Sequence, residues 1–353
     1  MNTLLIICLI LIIVLVIVLS IYFYYNLHHD RNLKNKIFSF GFNEKQIGLS
    51  NGTILHYGEG PQNGEPLLLI HGQGVDWKSY AKVLPELSKH FHIYAVDCHG
   101  HGKSSKNPKS YTAERMGTDF VWFVENVIGK PAYISGHSSG GLLTVWIAAN
   151  SPKNVKGMML EDPPLFSTEK GRSEKTYAWV DSFRLIHQFH RQNEETDYLI
   201  YYLKNSYWKE KFGKLWDVII RQATTFRKKN PTGIFRVFYL PPSLHKIWES
   251  ASNNDYDKYF GESFYDFSWF DNFEQADALA KIQCPSILIY AKNSKWEPYD
   301  ENGILLGAMS EDDANLAHQI LSQNKLVTID SGHGVHDEKP KEFIEITKSI
   351  LDQ

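Results

Sequence analysis

Four short apolar runs constrain this chain more than any other feature: "PLLLIHG" (66–72), "HIYAVDCHG" (92–100), "PAYISGHS" (131–138) and "VKGMMLEDPP" (155–164). Each is continuous in apolar character, too short for a buried helix and closed by turn residues, the pattern of a strand covered on both faces. Between them lie "DWKSYAKVLPELSKH" (76–90), "TAERMGTDFVWFVENVIG" (112–129) and "SGGLLTVWIAANSP" (139–152), whose apolar residues recur at helical spacing. This alternation predicts an α/β fold: a mostly parallel central sheet with helices on both faces. Upstream, "KQIGL" and "TILHYGEG" (45–60) join through Asn51-Gly52 and read as a hairpin.

The alternation stops at Pro164 and resumes near residue 276, where two more strands, "SILIYA" and "KLVTIDSG", appear with their helices. The stretch between is helical and rich in aromatics, as in "TDYLIYYLKNSYWKEKFGKLW". It can bury apolar area of its own and reads as an inserted helical cap. The expected division is an anchor and its basic flank at 1–36, core at 37–164, cap at 165–275 and core again at 276–353.

From Leu4 to Ile21 the chain has eighteen residues with no charge, Gly or Pro. That run, extended by "YFYY", is long enough to span the roughly 30 Å hydrocarbon layer, with Tyr22, Tyr24 and Tyr25 as interfacial anchors. A cleaved signal would carry a basic residue ahead of the run and a small-residue cleavage site after it, and neither is present. A transmembrane helix is therefore expected, placing the protein in the cell membrane with a single pass. Arg31, Lys34 and Lys36 follow the run and favour a cytoplasmic catalytic domain.

A formal net charge of −3 leaves no electrostatic footprint for nucleic acid. Cys8, Cys98 and Cys284 lie far apart and form neither a disulfide framework nor a zinc motif. "DCHGHGKS" (97–104) would be a phosphate loop only with glycine where Asp97 stands. His99 and His101, or His333 and His336, lack the partners of a known metal site, so neither metal nor cofactor is expected. His187 and His190 read as packing more readily than as pocket lining.

The chemistry concentrates in "SGHSSGG" (135–141). Residues 136–140 fit G-x-S-x-G between a strand and a helix, the setting of a nucleophile elbow. The turn is so sharp that Gly136 and Gly140 are needed, and it lifts Ser138 above the strand end. The Ser139 amide, at the start of the helix, can then point at a developing oxyanion. "LLIHGQG" (68–74) ends a strand where a second donor is needed, which points to the backbone amide of Gln73. "IDSGHGVHDEKP" (329–340) places His333 just past the last strand, as the base a serine hydroxyl requires. His336 is the runner-up, and His137 lies on the wrong side of the elbow.

Taken together, "HGQG", "DCHGHGKS", "GHSSGG" and "SGHGVHDEKP" resemble the α/β-hydrolase superfamily in its capped, esterase-like branch, over about residues 45–353. The resemblance implies a Ser–His–acid triad with Ser138 as nucleophile and His333 as base. Ser138 argues against the dehalogenase and epoxide-hydrolase branches, which carry Asp at the elbow. The acid departs from the pattern. The usual place after the penultimate strand holds Ser294 in "KNSKWEPYDENG", leaving Asp300, Glu297 or Glu301 in a longer loop. A minority of the superfamily draws the acid from the strand before, where Asp162 has the matching offset. Asp162 is favoured, with Asp300 as the alternative.

The expected function is hydrolysis of carboxylic esters or related acyl compounds through an acyl-enzyme on Ser138. The expected partners are a small, apolar acyl substrate and the membrane. Carbon–carbon bond hydrolysis on the same fold, and a ligand-binding or signalling role with weak catalysis, are the alternatives.

Overall fold

Leu67 and Leu69 point to one side of their strand and Leu68 and Ile70 to the other, and all four are buried. In the computed structural model, which describes residues 3–352, that strand lies in the middle of an eight-stranded sheet. The strands are β1 (Asn43–Gly48), β2 (Ile54–Glu59), β3 (Glu65–Ile70), β4 (Phe91–Val96), β5 (Ala132–His137), β6 (Val155–Glu161), β7 (Ser286–Ala291) and β8 (Asn324–Ile329). They run in the order β1-β2-β4-β3-β5-β6-β7-β8, parallel from β4 through β8. The hairpin partners β1 and β2 are antiparallel to each other, and β2 is antiparallel to β4.

Two apolar clusters coat the two faces. Leu68, Ile70, Val96, Ile134 and Leu160 join one, while Leu67, Leu69, Ile93, Met159 and Ile289 join the other. Each fully buried aliphatic side chain of this kind contributes roughly 1.5–3 kcal/mol. The order of the strands reverses at β3, so the loops after β3 and β5 open a crevice at the carboxyl edge of the sheet.

Two expected helices differ in form. Residues 76–90 fold as a 3₁₀ stretch, Trp77–Lys82, followed by a single α-turn, Leu84–Leu87. Pro85, which has no N–H to donate, sits in the first turn of the second piece and prevents a continuous helix. Residues 113–128 begin as an α-helix to Phe123, widen into a π-turn over Val124–Ile128 and end at Gly129.

Between β6 and β7 the helices Tyr198–Asn205, Lys214–Lys229, Pro242–Ser252 and Lys258–Tyr265 build the cap. Leu199, Leu203, Trp216, Phe235 and Trp248 form its own buried cluster, separate from both faces of the sheet. At the other end of the chain, Thr3–His28 is a single helix of 26 residues. At 1.5 Å per residue it is about 39 Å long. By length and composition it can cross a membrane, and none of its apolar window is buried against the protein.

Candidate active site

β5 delivers Ser138 into a turn with φ 55° and ψ −123°, a conformation costly for a residue with a Cβ, on the order of 1–3 kcal/mol. The backbone holds it there: the Ser138 amide donates to the Glu161 carbonyl at 3.0 Å, and the Gly141 amide donates back to the Ser138 carbonyl at 2.8 Å. The two glycines of the motif are packed against main chain. A Cβ on Gly136 would lie 2.2 Å from the Gly140 carbonyl oxygen, and one on Gly140 would lie 2.3 Å from that of Ile70. Both clashes are with backbone, which cannot swing aside. Ser139 is the first residue of the helix Ser139–Asn150, so its amide is among those that have no intrahelical acceptor.

Asp162 follows β6 directly, with φ 44°. An aspartate tolerates this left-handed conformation better than most residues do. Its amide donates to the Ile289 carbonyl at 2.9 Å, and its Oδ1 accepts from the Ala291 amide at 3.1 Å. That leaves Oδ2, which accepts from Nδ1 of His333 at 2.7 Å. With Nδ1 carrying the proton, Nε2 of His333 keeps its lone pair.

Partial desolvation of the ring pulls the His333 pKa down, but the hydrogen bond and charge of Asp162, aided by Glu161 and Glu338, outweigh it and raise it above its ordinary value. Burial also raises Asp162, against the opposing pull of His333. The His333 side chain is 45% exposed and that of Asp162 only 3%. Water can therefore solvate an imidazolium, and the proton belongs on His333.

The loop that carries His333 is pinned on every side. The His137 ring, tilted 46° to that of His333 with centroids 4.6 Å apart, donates through Nε2 to the His333 carbonyl at 3.0 Å. Burial pushes the His137 pKa well down, so this ring is neutral. The Gly332 amide donates to Glu338 at 2.9 Å, and the His336 amide and Nδ1 both donate to Glu161 at 2.8 Å. Ligand atoms of His137, Glu161 and His336 lie within 4.8 Å of one another. His336 Nδ1 reaches both Glu161 oxygens, at 2.8 and 2.9 Å, and this contact forms a bracket beneath the His333 loop.

Asp300 lies elsewhere. It accepts from the Tyr207 hydroxyl at 2.8 Å and from the amides of Asn302 and Ile304 at 2.9 Å, an arrangement that shapes its own loop and ties it to the cap. Glu301 pairs with Lys211 at 2.6 Å. Ser294, at the position where an acid was sought, donates to Asp330 at 2.8 Å. The structure thus brings Asp162, and not Asp300, to His333.

Gln73 sits in the loop after β3, and its side chain donates to the hydroxyl of Tyr256 in the cap. The neighbouring Gly74 amide donates to His101 Nε2 at 3.0 Å, and Asn253 of the cap donates to the Gly74 carbonyl at 3.1 Å. The Tyr256 ring stacks on His101 at 4.8 Å. Tyr256 and Asn253 were not legible as neighbours of this loop, because contacts across the insertion leave no local pattern.

The histidines of "DCHGHGKS" are framework. His99 bonds Asp119 at 2.8 Å, and His101 donates through Nδ1 to the His99 carbonyl at 2.9 Å. Asp97 binds His56 at 2.7 Å and accepts from the Trp77 and Lys103 amides. His187 and His190 both face Glu262, and their rings stack on Tyr265 and Tyr259 respectively, as packing residues.

Against known proteins, 36% of 119 aligned residues are identical to an (E)-2-((N-methylformamido)methylene)succinate hydrolase of Acinetobacter baylyi, an alignment covering 32% of this chain and 43% of that one. A protein named lipase 1 of Psychrobacter immobilis is 33% identical over 33% of this chain and 38% of its own. The chain therefore spans less than half the length of these curated relatives. The solved structure of a bacterial membrane phospholipase A covers 97% of each chain with a TM-score of 0.57 at 19% identity, a likeness of fold. The family model described as alpha/beta hydrolase fold matches residues 65–340, from β3 to just beyond the His333 loop, and the chain belongs to that family.

Proposed function

We propose that the protein is a membrane-anchored serine hydrolase that cleaves carboxylic esters through an acyl-enzyme on Ser138. One observation carries this reading: a buried carboxylate, Asp162, orients the Nδ1 of a half-exposed histidine whose ring lies 4.6 Å from that of His137, the residue that leads into the strained serine turn. In the proposed sequence, His333 Nε2 takes the Ser138 proton as the hydroxyl attacks the ester carbonyl. The amides of Ser139 and Gln73 hold the oxyanion of the tetrahedral intermediate. The imidazolium, stabilised by Asp162, then gives its proton to the leaving alcohol. A water deprotonated by the same histidine releases the acid and restores Ser138.

The long apolar helix Thr3–His28 and the basic residues after it support a single-pass anchor with a cytoplasmic catalytic domain. The aromatic cap and the lipase among the relatives support an apolar acyl group in the substrate.

The test is a series of p-nitrophenyl esters of increasing acyl length. Turnover is expected to persist or rise from acetate toward the octanoate and longer esters. Activity confined to the shortest chains would contradict the apolar acyl group. The same groups also suit hydrolysis of an amide, and the Acinetobacter relative, named for a succinate that carries an N-methylformamido group, favours this over carbon–carbon bond hydrolysis as the second reading. It would gain ground if no ester in the series were cleaved.

A further inference from the structure

The segment "IFRVFYLPP" (234–242), which leads into the cap helix Pro242–Ser252, has one charged residue in nine. Phe235 and Val237 point inward and are buried, whereas Ile234 and Phe238 point outward and are 37% and 46% exposed. Exposed apolar side chains scattered singly are ordinary. These two lie four residues apart on one loop, and Phe238 lies against the anchor helix.

The contacts between the two are specific. The Phe23 ring meets that of Phe238 edge-on, with centroids 4.9 Å apart. Asn26, fully buried, donates to the Phe238 carbonyl at 2.8 Å. Arg236, the single charge of the segment, is turned away from solvent. It donates to the Leu27 carbonyl at 2.9 Å and pairs with Asp30 at 2.8 Å and with Glu249 at 3.2 Å. The cap is thereby clasped to the last two turns of the anchor.

Phe23 lies between Tyr22 and Tyr24, just past the uncharged run and seven residues before Asp30. At 1.5 Å per residue it sits about 10 Å toward the membrane from that first acid, at the depth where aromatic residues meet lipid headgroups. A side chain packed edge-on against Phe23 shares that depth.

From this juxtaposition we infer that Ile234 and Phe238 form a second membrane contact, in which the cap rests in the headgroup and upper acyl region of a phospholipid bilayer. The inference rests on reading Thr3–His28 as a membrane span. The contact would fix the cap relative to the catalytic core, because the next helix carries both Lys246 and Ser250. Lys246 pairs with Asp337 beside the His333 loop at 2.7 Å, and Ser250 lies so close to Gly74 that a Cβ there would meet its side chain at 2.5 Å. The bilayer surface and the loops around Ser138 are then joined by one helix of 11 residues, about 16 Å long. An apolar ester would have a short path from lipid to site.

The experiment uses the full chain with Cys8 and Cys284 changed to serine, reconstituted in vesicles of phosphatidylcholine and phosphatidylglycerol. An environment-sensitive fluorophore is placed at Phe238→Cys, at Ile234→Cys in a second protein, and at the exposed control Lys153→Cys. Lipids carrying a nitroxide near the top of the acyl chain are expected to quench the labels at 234 and 238 several-fold more strongly than the label at 153. Labels at 234 and 238 that are quenched no more than the control would overturn the inference, as would a blue shift without quenching, which indicates cover by protein. Alkaline carbonate extraction separates the two readings. Release of the chain would overturn the anchor itself, whereas retention with unquenched labels overturns only the second contact.

Discussion

Asp162→Asn is expected to lower kcat for ester hydrolysis by about 10⁴-fold, the scale on which a triad histidine suffers when its orienting acid is neutralised. Asn keeps the volume but replaces an acceptor with an amide that can present N–H to Nδ1, which favours the wrong tautomer. The same substitution predicts the direction of a pH shift. His333 must be unprotonated to act, so activity falls as pH drops through its pKa, which Asp162 holds above the ordinary histidine value. Removing that carboxylate moves the acid limb of kcat/KM to lower pH in whatever activity remains. Asp300→Asn is the matched control. Its carboxylate serves Tyr207 and its own loop, so the variant should lose about 1 kcal/mol of stability or less and keep turnover within a few-fold. Reversal of the two results would move the acid to the longer loop.

The second large effect concerns Ser138 and His333 as a unit. Ser138→Ala and His333→Ala are each expected to reduce kcat by about 10⁶-fold, and the double variant should be no worse than either. Non-additivity is the informative part, since two residues that merely stabilise the fold would show losses that multiply. Steady-state kinetics on the best p-nitrophenyl ester, with folding checked by thermal denaturation, reads both.

Features that depend on neighbours in sequence are legible in the sequence itself. The parallel strands announce themselves as apolar runs, and "GHSSG" between a strand and a helix identifies the turn at Ser138 because only glycine fits against the Gly140 and Ile70 carbonyls. Asp162 was visible as a candidate, but not decidable. Choosing between it and Asp300 requires knowing where the loop after β8 falls relative to the ends of β6 and β7. That placement comes from the sheet order and from the bracket of Glu161 on His336. The contact of Tyr256 with Gln73 and the clasp of Arg236 on Asp30 join positions roughly two hundred residues apart. No periodicity records such pairs. The helix expected over 76–90 failed for a local reason, because Pro85 interrupts a pattern whose apolar residues are nevertheless all buried.

The central claim, that Ser138 is an activated nucleophile, is tested most directly by a fluorophosphonate probe followed by mass spectrometry of the labelled peptide. The account predicts one adduct per chain, on the peptide containing Ser138, formed more slowly as pH falls through the His333 titration and absent in Ser138→Ala. An unlabelled wild-type protein, or equal labelling of the Ser138→Ala variant, would contradict it.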